Sequence, residues 1–130
     1  MKFQTSNPAG VYAPPKNYSQ AARVPGGSEM LFVSGQGPQN AQGETVGLGD
    51  MAAQAEQVFH NLQTILAAHG ATFADVVKVT TYLTDMSQLA AFNAARAQFY
   101  GDAKPTSALI GVTALVDPDW LVEVELVALI

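Results

Sequence analysis

Glu123 and Glu125 stand two residues apart in a run of ten, Leu121 to Ile130, whose other eight members are apolar. A strand places residues two apart on one face. The run therefore reads as a buried strand with two carboxylates on the same side. Burying a carboxylate is costly unless it is paired or put to use. In an apolar setting such a group keeps its proton to higher pH and can hold or deprotonate a water. The structural alternative is that each glutamate reaches solvent or pairs with Arg23, Lys78 or Arg96.

The remaining chemistry is sparse. His60 and His69 are nine residues apart on what reads as one helix, about 180° apart around its axis. They cannot share a metal within one subunit, and His69 sits where a helix C-terminus favours a cationic imidazole. No other metal-ligand spacing occurs, so no metal is expected. The chain has no cysteine, which removes disulfides, thiol catalysis and thiolate metal sites. Glycines 35, 37, 43, 47 and 49 lack the Gly-Lys-Ser/Thr or Gly-x-Gly-x-x-Gly pattern of a phosphate-binding loop. No Gly-x-Ser-x-Gly nucleophile turn occurs either. Asn93 adjoins an apolar helix face, where it is a surface amide, an inter-subunit hydrogen-bonding group or a site residue. Tyr18 follows a proline-rich arm and either packs on the core or lines a cleft.

Periodicity indicates the scaffold that carries these residues. Residues 3–17 read as an irregular arm with a short strand near Phe3. Tyr18 to Val24 and Met30 to Ser34 read as strands joined by the turn Pro25-Gly26-Gly27-Ser28, which suggests a hairpin. Gly35 to Gly49 is a loop. Asp50 is placed to cap a helix whose stripe is Met51, Ala55, Val58, Phe59, Leu62, Ile65 and Leu66, with Gly70 as its stop. Val76 to Leu83 is a β-branched strand. Ser87 is placed to cap a second helix, with the stripe Leu89, Phe92, Arg96, Phe99 and Tyr100 and a stop at Gly101. Strands at Ser107 to Leu115 and Leu121 to Ile130 close the chain. The expectation is one α+β domain over residues 1–130, with both helices on one face of a mixed six-stranded sheet. The alternate residues of the last strand, Val122, Val124, Leu126, Ala128 and Ile130, are apolar. Both of its faces therefore need a cover, one from the helices and one from another copy of the chain.

Composition agrees. Apolar residues make up 48% of the 130 and charged residues only 13%, a sparse charge that points to apolar surface buried between subunits. The net charge is −5 with six basic residues, which argues against nucleic acid or an anionic membrane as partner. No stretch reaches the roughly 18 apolar residues of a membrane span. The N-terminus lacks the apolar core of a signal peptide. A cytoplasmic location is the default.

Several segments together resemble one family. They are Tyr18-Ser19-Gln20-Ala21, Leu31-Phe32-Val33-Ser34-Gly35-Gln36, the helix start Asp50 to Ala55 with Asn61-Leu62, and Gly70 to Asp75 leading into Val76 to Asp85. Phe92-Asn93, Lys104-Pro105-Thr106-Ser107 and Val122-Glu123-Val124-Glu125 complete the set. In order and spacing these are similar to the RidA/YjgF family of imine and enamine deaminases. The resemblance implies a chorismate-mutase-like homotrimer with ligand clefts at subunit boundaries. It further implies hydrolysis of 2-imino or 2-enamino acids to 2-keto acids and ammonia, without metal or organic cofactor. Tyr18, Gly35 and Asn93 would line the cleft. The backbone at Ala108 and Leu109 would meet the imine end of the ligand, and Glu123 would position the attacking water. At Ser107 the deaminating members carry an arginine that grips the substrate carboxylate; Lys104 and Arg96 are candidate substitutes, though the family pattern places neither. Ser107 thus suggests a small carbonyl, imine or enamine ligand without a carboxylate at the usual place. The alternative is a non-catalytic ligand-binding or stress-protective trimer. A chorismate-mutase-type reaction is disfavoured, because Arg23 and Arg96 are the only two arginines, too few for a dianionic substrate.

Overall fold

The structure is a computed structural model that describes residues 2–12 and 18–130. Pro14 and Pro15 of the expected N-terminal arm lie outside the described residues. In chain order the strands are β1 (Gln4–Ser6), β2 (Ala21–Arg23), β3 (Met30–Gln36), β4 (Val76–Leu83), β5 (Thr106–Gly111) and β6 (Val122–Leu129). The helices are α1 (Met51–Ala68) and α2 (Leu89–Tyr100). This is the expected α+β arrangement, two helices on one face of a mixed sheet, but the six strands divide. Four form the sheet in the order β3-β6-β4-β5, and β1 and β2 form a separate antiparallel ladder.

The hairpin expected from the turn at 25–28 does not form. β2 pairs with β1, joining Gln4 to Arg23 and Ser6 to Ala21, while β3 pairs antiparallel with β6. A turn sequence fixes a local change of direction, not the strand that will supply hydrogen bonds afterwards. β6 lies between β3 and β4. Its Val122, Val124, Leu126 and Ala128 are buried, Glu123, Glu125 and Val127 are partly exposed, and Leu129 at its end is buried as well.

α1 begins as its sequence predicts, with the Asp50 carboxylate accepting from the backbone N–H of Ala53. α2 begins differently. Asp85, not Ser87, supplies the cap, and it caps a 3₁₀ turn at Met86–Gln88 from which α2 continues without a side-chain cap. Phe59 on α1 is the hub of the helix layer. Its ring lies 5.5 to 6.2 Å from those of Phe73, Phe92, Phe99 and Tyr100. The opposite sheet face has no helix, and Phe32 on it is 72% exposed. No helix among the described residues is long and apolar enough to cross a membrane.

Candidate functional site

Strand alternation sorts the candidate residues onto two faces. On β5, Ser107 pairs with Val79 and Leu109 with Thr81, both buried positions beneath the helices. Ala108 pairs with Thr80 and its side chain turns the other way. On the helix side, Asn93 and Arg96 lie one turn apart on α2. Together Tyr18, Leu89, Asn93, Arg96, Ser107 and Leu109 line one cavity of about 290 Å³. Tyr18 reaches it because its neighbour Ser19 is clamped to the start of β5. The Ser19 N–H donates to the Pro105 carbonyl at 3.0 Å, and its hydroxyl donates to the Lys104 carbonyl at 2.7 Å. Thr106 fixes the same segment from below, donating to the Val77 carbonyl at 2.8 Å.

Glu123 and Gly35 form a second group on the helix-free face. Between Val33 and Gln36, β3 advances three residues while β6 advances only two, from Leu126 to Val124. That extra residue is a bulge, the kind of irregularity a strand glycine permits. It lays Gly35 under the Glu123 side chain, so that a Cβ at position 35 would run into the carboxylate. The backbone there must be bare for Glu123 to lie as it does. Glu125, two residues on, is engaged differently. It accepts a 2.5 Å hydrogen bond from the Tyr82 hydroxyl. That bond, with partial desolvation and the charges of Glu125 and Glu123, raises the Tyr82 pKa above 10.0. Neither glutamate pairs with Arg23, Lys78 or Arg96; the ion pairs among the described residues are Lys2–Asp75 and, once His60 is protonated, Glu56–His60.

Two amides that periodicity had not singled out hold the loop after β3. Gln54 is fully buried on α1. Its Nε2 donates to the carbonyls of Gly47 and Asp119, and its Oε1 accepts from the Leu121 N–H at 2.8 Å. Asn61, two turns further along, donates to the carbonyls of Gly37 and Gln39. The sequence signal was a polar residue at a core-facing position of an otherwise apolar stripe. Trp120 lies against Gly37, where a side chain would collide with the indole ring. These contacts fix both the exit of β3 and the approach to β6. Among the described residues no cluster of three or more His, Cys, Asp or Glu side chains converges as metal ligands would.

The site thus comprises a small cavity between a helix and an edge strand, with a carboxylate over bare backbone on the other sheet face. Residues 10–130 match the family described as Endoribonuclease L-PSP. A RutC family protein of Pyrococcus horikoshii is 37% identical over 111 residues, covering 85% of each chain. A solved Rid family protein of unknown function from Yersinia pestis, YyfB, is 37% identical with a TM-score of 0.88 and covers 100% of both chains. The structure of E. coli TdcF with bound serine is 31% identical, with a TM-score of 0.72 over 91% of each chain. The chain belongs to this family, the RidA/YjgF or L-PSP proteins.

Proposed function

We propose that the protein is a cytoplasmic homotrimer that hydrolyses a small imine or enamine to a carbonyl compound and ammonia in an inter-subunit cleft. The observation that carries this reading is the cavity itself. Tyr18, Asn93, Ser107 and Leu109 come from distant parts of the sequence, were each expected at a ligand cleft, and line one space. Glu123 of a neighbouring copy completes the cleft, since within one chain it lies across the sheet from the cavity. Water adds to the C=N carbon while Glu123 takes its proton and returns it to nitrogen, which gives a carbinolamine. Glu123 then carries the hydroxyl proton to the amine nitrogen as the C–N bond breaks, so that ammonia leaves and C=O remains. β5 is an edge strand; alternation turns the backbone groups of Ala108 towards β4 and those of Leu109 outward, so the Leu109 N–H is free to stabilise developing charge. No cofactor is required by this chemistry.

A bound serine in TdcF supports a small amino-acid-like ligand, since that relative shares the fold closely. The family description names an endoribonuclease, but eleven acidic against six basic residues is a poor footing for a polyanion. The alternative reading is a non-catalytic trimer that binds a small ligand, favoured by the serine at the arginine position. The test is to generate short-lived imines from several amino acids and amines with oxidases and to follow their decay. Faster decay with the protein supports the deaminase. Unchanged decay for every imine, charged or neutral, leaves only the binding reading.

A further inference from the structure

Arg96 is only 8% exposed, yet no carboxylate lies within ion-pair distance of it among the described residues. Its guanidinium sits 5.6 Å from the Phe92 ring centre and 5.8 Å from that of Tyr100. These are the residues four before and four after it on α2, so the charge is clamped between two ring faces. Burial lowers its pKa, but a guanidinium keeps its proton in proteins. A buried, permanent cation without an anion is an expensive arrangement unless something completes it. It lines the same cavity as Ser107, and among the described residues it is the one charged side chain in that lining. Beside it, the buried Asn93 Oδ1 has no hydrogen-bond partner among the described residues. Few sites in a folded chain leave a buried cation and a buried acceptor incomplete together.

The geometry points to Arg96 as the anchor for the carboxylate of a small monoanionic ligand, doing from α2 what the family's arginine does from the position held here by Ser107. One cation and about 290 Å³ suit a single carboxylate on a few-atom body rather than a dianion or a nucleotide. The partnerless Asn93 oxygen calls for an N–H donor on the same ligand, as an amino or imino acid carries. This replaces the expectation, drawn from Ser107 alone, that the ligand lacks a carboxylate. It rests on reading the cavity as the ligand site, but not on catalysis there.

Equilibrium binding to the intact protein tests it, with pyruvate and its uncharged amide, pyruvamide, as probes. Pyruvate should bind at least about tenfold tighter than pyruvamide. Arg96→Met, which keeps the side chain's bulk, should erase that preference, and Arg96→Lys should restore part of it. The comparison on the unaltered protein needs no variant to fold. Equal binding of the two probes, no binding of pyruvate, or an undiminished preference in a folded Arg96→Met protein overturns the proposal. Neutralisation of Arg96 by Glu123 of a neighbouring copy would itself produce equal binding, and so counts against the proposal. Failure of imine hydrolysis leaves this proposal standing. Hydrolysis of neutral imines alone, without carboxylate preference, sinks it and spares the deaminase.

Discussion

At the residue scale, the position of Glu123 depends on what its neighbour lacks. Gly35 sits on a bulge beneath the carboxylate, and any side chain there occupies the space of the carboxyl group. The bulge lies at an exposed part of β3 and Glu123 is half-buried, so displacement costs the fold little. Gly35→Ala should therefore lower the turnover of imines by about 10- to 100-fold, as a misplaced base does. Its melting temperature should stay within a few degrees of the parent. A Gly35→Ala enzyme with full turnover would mean that Glu123 is not the group that handles water. The resemblance named Tyr18, Asn93, Ser107, Leu109 and Glu123, and alternation alone put Ser107 and Leu109 on one face. The sequence offers Arg96, with Lys104, as a substitute anchor but does not place it. A cation on a helix stripe looks the same whether it snorkels to solvent or is locked between two rings, and only packing distinguishes the two.

At the element scale, periodicity found what local geometry controls. The stripe Met51 to Leu66 gave α1 and its Asp50 cap, and the apolar alternation of β6 gave the central strand. It missed what distant partners control, namely that β2 joins β1 and that β3 continues through a bulge to Gln36. Gln54 shows what such distant contacts contribute. Its one side chain ties α1 to the loop at Gly47 and to the turn before β6. Gln54→Leu would keep the volume but strand two carbonyls and one N–H. At roughly 1–3 kcal/mol for a buried unsatisfied group, the loss should be about 3 kcal/mol, read as a lower denaturant midpoint with an unchanged slope. The packing of α2 predicts a pH effect as well. Burial pushes the Tyr100 hydroxyl from 10.0 up to about 12. The folded protein therefore holds that proton more tightly than the unfolded chain does. The stability so gained is complete below pH 10 and is lost as pH rises from there towards about 12. The loss is at most about 1.4 kcal/mol for each pH unit. Tyr100→Phe should remove this part of the alkaline decline, and melting curves of the two proteins at about pH 9 and about pH 11 will show it.

At the scale of the whole molecule, the two half-sites decide how many chains a cleft needs. The cavity opens between α2 and β5 on the helix side, and Glu123 projects from β6 on the other. Two faces of one strand cannot meet, whatever the side-chain rotamers, because the sheet itself stands between them. A cleft with both parts must draw them from two copies. The helix-free face is built for such contact, with exposed Phe32 beside Val127 and the hydrogen-bonded Tyr82–Glu125 pair. Subunit complementation is the direct consequence. Glu123→Gln removes one half-site, and Asn93→Leu blocks the other with a side chain of similar size. Each variant alone should be nearly inactive. When the two are unfolded together in equal amounts and refolded, random assembly leaves both halves intact at roughly a quarter of the clefts. Activity should recover to about that fraction of the parent, while the proteins refolded separately and then mixed stay inactive until subunits exchange. Were both half-sites within one chain, no mixture could restore any cleft. Co-refolded samples that remain as inactive as their parents would therefore overturn the shared cleft, and with it the reason for a trimer.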